Sequence, residues 1–330
     1  MLILTKSVLA IMISFIIAVC LGTVLIPVLR KLKASQRLSI YLENEHRTKV
    51  GTPTMGGLIF IISSLISLTL LYVFKKIDIS YNFMIIIITM IGYTIIGFID
   101  DYLIIKRNNN KGLTEKQKLL LQVIVAIVFF YMFMVADNEP LLWIHSLSIK
   151  WDIGWFYGLF ILFVLVASSN AVNITDGLDG LAGGLSLIAF LTFGIISWAT
   201  GWLEGYEEIA ITCFVMVGSL LGFLVFNVSP AKVFMGDTGS LPLGAVLGTL
   251  SILTRHELLL IVIGIVFVIE TLSCILQIAY YKRTKKRLFP MTPIHHAFEK
   301  KGWKERDIVK LFWIIGMLGS MIAIIYGVWI

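Results

Sequence analysis

The sequence predicts an all-α, polytopic integral membrane protein, built as a single transmembrane helix-bundle domain over residues 1–330. Three observations predict it. Hydrophobic residues make up 58% of the chain and charged ones only 14%, with a mean hydropathy of +0.93. Apolar stretches near the roughly 20 residues that cross a hydrocarbon core recur about ten times along the chain. Basic residues are sorted to alternate connections between those stretches, as expected when a bilayer separates them.

The first run, 7–29, is too long for a secretory signal, and a basic cluster follows it in place of a small-residue cleavage site, so it reads as a retained span. The others centre in 55–74, 80–100, 119–136, 156–172, 180–199, 209–226, 236–254, 258–280 and 308–330. The fifth and eighth are short, which leaves bending or partial insertion open for both. Between the fourth and fifth, "LLWIHSLSIKWDI" (141–153) partly alternates in polarity and predicts a short surface hairpin. Trp143, Trp151 and Trp155 would anchor it at the interface. Cys20, Cys213 and Cys274 lie inside apolar runs; their odd number and wide spacing argue against disulfides.

With ten spans, Lys and Arg number six in 30–54, five in 101–118, one in 227–240 and ten in 281–310. The remaining five of the 27 are Lys6, Lys75, Lys76, Lys150 and Arg255. The rich connections are therefore cytoplasmic and both termini extracytoplasmic. The basic charge follows topology and membrane lipid attraction; no nucleic-acid partner is expected.

Asp100, Asp101, Asp176, Asp179 and Asp237 all fall at cytoplasmic ends of apolar runs. One such acid alone reads as a cap or a solvated residue. Five on one face point to a site. The adjacent pair in "GFIDDYLI" (97–104) is disfavoured at a helix C-terminus by the dipole, and oxygen-only ligands suit magnesium. "NAVNITDGLDGLAGG" (170–184) and "FMGDTGSLPLG" (234–244) each place glycines, hydroxyls and acids before an apolar run. Such junctions let backbone and a helix N-terminus approach phosphate. Arg47, Lys49, Lys116 and Lys118 share that side. His295-His296 lack the further ligands of a zinc site, so phosphate contact fits them better. Glu270 falls inside the ninth run with Gln277 two turns on, and must face the bundle interior or a wet cavity.

These motifs, with "GTPTMGG" at 51, "GLTEKQK" at 112 and "TPIHHAFE" at 292, make the chain resemble the phospho-N-acetylmuramoyl-pentapeptide transferases, within the polyprenyl-phosphate N-acetylhexosamine-1-phosphate transferase superfamily. The resemblance implies ten helices, an active site at the cytoplasmic face of a bacterial plasma membrane, and a Mg2+ cofactor. It implies transfer of phospho-MurNAc-pentapeptide from UDP-MurNAc-pentapeptide to undecaprenyl phosphate, giving lipid I and UMP. By motif position Asp100, Asp101 and Asp237 match the catalytic acids, with Asp237 the metal ligand. Lys49, Thr54, Lys116, Asn170, Asn173, Asp176, Asp179, Phe234, Gln277, His295 and His296 match substrate-binding positions, Gln277 near the nucleobase. Two positions depart: Ala297 replaces a third histidine, and Ile104 stands where a lysine is common. A homodimer stays open as a further partner.

An acceptor phosphate monoester has a second pKa of about 6 and is largely dianionic at pH 7. That favours direct attack on the β-phosphorus, with Asp100 orienting or deprotonating the acceptor, over a covalent aspartyl-phosphate route. Two alternatives stay open: a UDP-GlcNAc-specific transferase, and a transporter or flippase using Glu270, against which no inverted repeat is seen.

Overall fold

The computed structural model describes residues 3–32, 34, 49, 51–107, 111–144, 149–199 and 205–329. Arg47 lies outside the described residues. Four helices come first: α1 (Ile3–Lys31), α2 (Gly57–Val73), α3 (Tyr81–Arg107) and α4 (Glu115–Val135). The antiparallel strands β1 (Leu141–Ile144) and β2 (Ile149–Asp152) follow, then a 3-10 turn, Gly154–Phe156, that opens α5 (Tyr157–Thr175). The chain continues as α6 (Leu181–Ala199), α7 (Tyr206–Asn227), α8 (Asp237–Leu253), α9 (Leu259–Ile263), α10 (Ile265–Thr284), α11 (Ile294–Lys300) and α12 (Glu305–Trp329).

Among the described residues, eight helices are long and apolar enough to cross a membrane. They are α1, α3, α4, α5 with its 3-10 turn, α6, α7, α10 and α12. The two others among the expected ten, α2 and α8, have 17 residues each, about 25 Å at 1.5 Å per residue. The expected short fifth segment is corrected: it runs 22 residues, Gly154–Thr175. Its polar end, SSNAVNIT, stays helical, with side chains bonded back one turn within α5 so that their polar atoms are satisfied there. Ser168 Oγ donates to Val164 O (2.7 Å), Asn170 Nδ2 to Val166 O (2.8 Å) and Thr175 Oγ1 to Ala171 O (2.8 Å). The ninth segment, expected as one run over 258–280, divides at Gly264 into α9 and α10. There α12 crosses so closely that a Cβ on Gly319 would meet Val262 O at 2.5 Å.

α7 and α8 form the centre and are buried along most of their length. α1 reaches α7 over Gly218 and Gly222, where a Cβ would overlap Ile11 O and crowd Ala18 Cβ, the close approach that small residues four apart allow between membrane helices. Outer faces carry exposed large apolar side chains, such as Met12, Ile16, Ile127, Tyr131, Ile275 and Ile278. An outward apolar surface of that extent suits lipid. The predicted hairpin is present, with Leu141 opposite Asp152 and Trp143 opposite Lys150. Lys150 Nζ sits 4.2 Å from the Trp143 ring centre, and Trp151 and Trp155 are exposed.

Candidate active site

The site grows from the N-terminus of α8. Gly236 precedes it at φ +72°, a backbone that favours glycine, and a Cβ there would meet Thr54 Oγ1 at 2.6 Å. The first α8 amides find their acceptor in another helix: Asp101 of α3 takes Asp237 N–H at 3.3 Å and Thr238 N–H at 3.0 Å, and the Thr238 hydroxyl at 2.7 Å. Asp101 is fully buried and therefore fastens α8, capping it from across the bundle. Gly97, one turn earlier in α3, lets this happen, since a Cβ there would overlap the Asp237 carbonyl.

The "GTPTMGG" segment pairs with the approach to α8. Phe234 N–H donates to Pro53 O (2.8 Å), Gly56 N–H to Phe234 O (2.8 Å) and Gly57 N–H to Met235 O (2.9 Å). The "DGLDG" turn after α5 is tied in by Asn227, which accepts from Gly180 N–H (3.1 Å) and donates to Val233 O (2.9 Å). Asp179 accepts from Ala231 N–H at 3.0 Å. Three distant motifs thus share one wall.

Two cations serve the acids. Lys118 Nζ, on α4, reaches Asp237 Oδ2 at 2.8 Å and Asp100 Oδ1 at 3.3 Å. Thr114 and Gln117 start that helix with a reciprocal capping box, and Asp100 holds the approach to it through Leu113 N–H at 2.9 Å. Asn173 donates to Asp237 Oδ1 (2.7 Å) and Ser240 Oγ (2.8 Å), which fixes the other carboxylate oxygen. Lys49 Nζ bridges Asp179 Oδ1 (2.8 Å) and Glu305 Oε1 (2.6 Å). Burial alone would lower the Lys49 pKa, but those two carboxylates hold it above the usual lysine value. Asp176 is pushed up to about 7, first by burial and then by the charges of Asp237, Asp101 and Asp179, with Lys49 opposing.

A cavity of about 280 Å³ is lined by Lys49, Thr54, Asn173, Asp176, Asp179, Phe234 and Asp237, seven of the residues read from the sequence. The others stand around it. Asp100 and Asp101 adjoin it through Lys118 and α8. Asn170 lies one turn below Asn173, bonded within its helix. His295 is fully buried behind Gly177, while His296 Nδ1 lies 2.6 Å from Glu299 Oε2. Lys116 is exposed on α4, and Lys118, two residues on, reaches the acids instead. Gln277 accepts from Leu288 N–H (3.0 Å) and Phe289 N–H (2.9 Å), holding the connection after α10, and does not line the cavity.

Sequence reasoning missed Glu305 and Asn227. Glu305 opens α12 and looks like an ordinary acid in a first helical turn. The available signal was an acid within a strongly basic connection. Asn227, an amide closing the seventh apolar run, was an equally quiet signal.

Comparison with known proteins agrees with the geometry. The profile described as "Glycosyl transferase family 4" matches residues 83–255, just over half of the chain. The phospho-N-acetylmuramoyl-pentapeptide-transferase signature 1 matches 49–61. The phospho-N-acetylmuramoyl-pentapeptide-transferase of Geobacillus thermodenitrificans is 45% identical over 323 residues, covering 98% of both chains. That of Bacillus subtilis is 44% identical over 320 residues, 97% of both, and that of Staphylococcus epidermidis 45% identical over 325 residues, 98% of both. Matches of this identity and coverage, running through every motif that builds the cavity, mean that this multi-pass membrane chain is an enzyme belonging to the phospho-N-acetylmuramoyl-pentapeptide-transferase family.

Proposed function

We propose that the chain transfers phospho-MurNAc-pentapeptide from UDP-MurNAc-pentapeptide to undecaprenyl phosphate, releasing UMP and leaving lipid I in the plasma membrane. The observation that carries this reading is the cavity, where acids, amides and Lys49 from separate motifs converge beside the N-terminus of α8. A helix N-terminus and a lysine suit a diphosphate. The Thr54 hydroxyl is buried and has no hydrogen-bond partner among the described residues, so it is ready to donate to a bound oxygen.

Among the described residues no three acid, histidine or cysteine side chains form a ready metal site. Asp237 together with ligand oxygens still fits magnesium, which is commonly held by one or two carboxylates, water and substrate phosphate. Bound there, magnesium would neutralise charge developing on the diphosphate.

The remaining work belongs to side chains. Asn173 orients Asp237, Asp101 fixes the start of α8, and Lys49 and Lys118 supply positive charge to phosphate oxygens. Asp100 stands 3.3 Å from Lys118 Nζ and orients the acceptor phosphate. Direct attack remains the preferred route, because the acceptor is already ionised at neutral pH. Purified protein with both substrates and magnesium should release UMP. Failure with the MurNAc donor, but turnover with UDP-GlcNAc, would move the assignment to the other branch. UMP exchange into the donor without lipid acceptor would favour the covalent route.

We also infer that α2 and α8 complete ten crossings, with both termini outside. A cysteine at Lys111 should then react with impermeant reagent only from the cytoplasm, and one at Glu139 only from outside. The reverse pattern would invert the topology.

A further inference from the structure

Glu270 lies in the second turn of α10 and is fully buried, although its helix neighbours Ile269 and Leu272 face outward. A carboxylate in that setting is costly unless matched. Its match comes from α11. Glu270 Oε1 stands 3.1 Å from His295 Nδ1, an ion-pair distance without hydrogen-bond alignment, and Oε2 accepts from His295 N–H at 3.4 Å. His295 is itself fully buried. Its Nε2 faces Gly177 so closely that a Cβ at that position would overlap it. Gly177 lies between Asp176 and Leu178 in the cavity wall. Contact therefore runs from a membrane helix, through one imidazole, to the turn that carries Asp176 and Asp179.

We propose that Glu270 is a positioning residue for the donor cavity. It holds His295 so that the ring packs on Gly177 and sets the "DGLDG" wall, and residue 177 is glycine because the ring occupies the space of a side chain. The inference rests on the reading that this cavity takes the UDP donor.

The test measures UDP binding by calorimetry and the donor KM and kcat, for Glu270→Ala, Glu270→Gln, Gly177→Ala and the Glu270→Ala/Gly177→Ala pair. Carboxylates behind metal-bound histidines carry roughly ten- to a hundredfold, and that range sets the scale for a carboxylate behind His295. We expect Glu270→Ala to weaken UDP binding and raise donor KM by about that factor, with kcat falling less. Glu270→Gln, which keeps an acceptor for His295 N–H, should recover part of the loss. The double variant should lose no more than its worse single variant, because both changes displace the same ring. Multiplying losses, or a lowered thermal midpoint with unchanged donor KM, would overturn the proposal. If Glu270→Ala does not fold, Glu270→Gln decides alone, and wild-type UDP affinity in it overturns the proposal. Wild-type protein that fails to bind UDP, or binding that survives Lys49→Met and Asp176→Asn, would instead sink the cavity reading and this inference with it.

Discussion

Two buried polar clusters sit at opposite ends of the bundle, and each contains an acid lifted to about the same pKa. At the hairpin end, Glu257 is pushed up to about 7 by burial, while the Tyr157 hydroxyl, its own backbone and Arg255 pull it back down. At the cavity end, Asp176 reaches about 7 through burial too, but Asp237, Asp101 and Asp179 push it further in the same direction. The hairpin cluster is closed. Tyr157 Oη donates to Glu257 at 2.7 Å, and Arg255 donates to Leu141 O at 3.2 Å and lies 5.3 Å from the Phe133 ring centre. Among the described residues the cavity cluster is unbalanced and open, its acids outnumbering Lys49 and Lys118. A closed polar cluster supports the fold. An open one in which acids prevail should respond to an added metal cation, and that difference can be measured.

The largest effect should separate the two ends outright. Asp237→Asn removes charge from a carboxylate that faces the cavity and is held by Lys118 and Asn173. Loss of one electrostatic contact made in the transition state costs on the order of 100- to 1,000-fold in rate. Turnover should fall by that factor while the thermal midpoint stays near wild type. A well-folded Asp237→Asn enzyme with normal activity would remove this residue from the chemistry.

At the other end the pattern should reverse. Tyr157→Phe leaves Glu257 without its 2.7 Å donor in a buried setting, a loss of about 1–3 kcal/mol. Unfolding in detergent should shift accordingly, with kcat and donor KM unchanged at permissive temperature. A changed KM with unchanged stability would show that the hairpin end communicates with the cavity.

The two ends were not equally legible in the sequence. The cavity announced itself because acids and glycines interrupt apolar runs, and neither residue type suits that position without a reason. The hairpin was legible from its alternation. Asp101 was half legible: the sequence marked the acid pair as unusual by placing it at a helix C-terminus, but α3 runs on to Arg107, so Asp101 lies inside the helix and it is its burial that sets it apart. Its partner, the N-terminus of α8, is 136 residues away from it in the chain and only the fold brings them together. Lys116 and Lys118 could not be told apart by spacing, since two residues on a helix point to nearly opposite sides. The fifth span looked short because its apolar run covers only 156–172, while the helical segment extends past it at both ends, to Gly154 and Thr175.

The smallest effect is the sharpest test of the comparison. Asp176 and Glu257 both have folded pKa values near 7, above the ordinary carboxylate values of 3.8 and 4.5. Each holds its proton in the folded protein at pH values where the unfolded chain has released it. Each therefore contributes stability that is fully present below its unfolded pKa and is lost as pH rises toward about 7. Apparent unfolding midpoints should decline from pH 5 to pH 7.5. Asp176→Asn and Glu257→Gln should each flatten the decline, by no more than a few degrees. The ends diverge once magnesium alone is added. Positive charge in the cavity favours ionised Asp176 and should erase its share of the pH dependence. Glu257 is screened inside its own closed cluster and should keep its share. The Asp176→Asn curve should then converge on wild type with magnesium present, while the Glu257→Gln curve should stay apart from it. Convergence of both curves, or of neither, would mean that the charge balance of the cavity does not set the Asp176 proton.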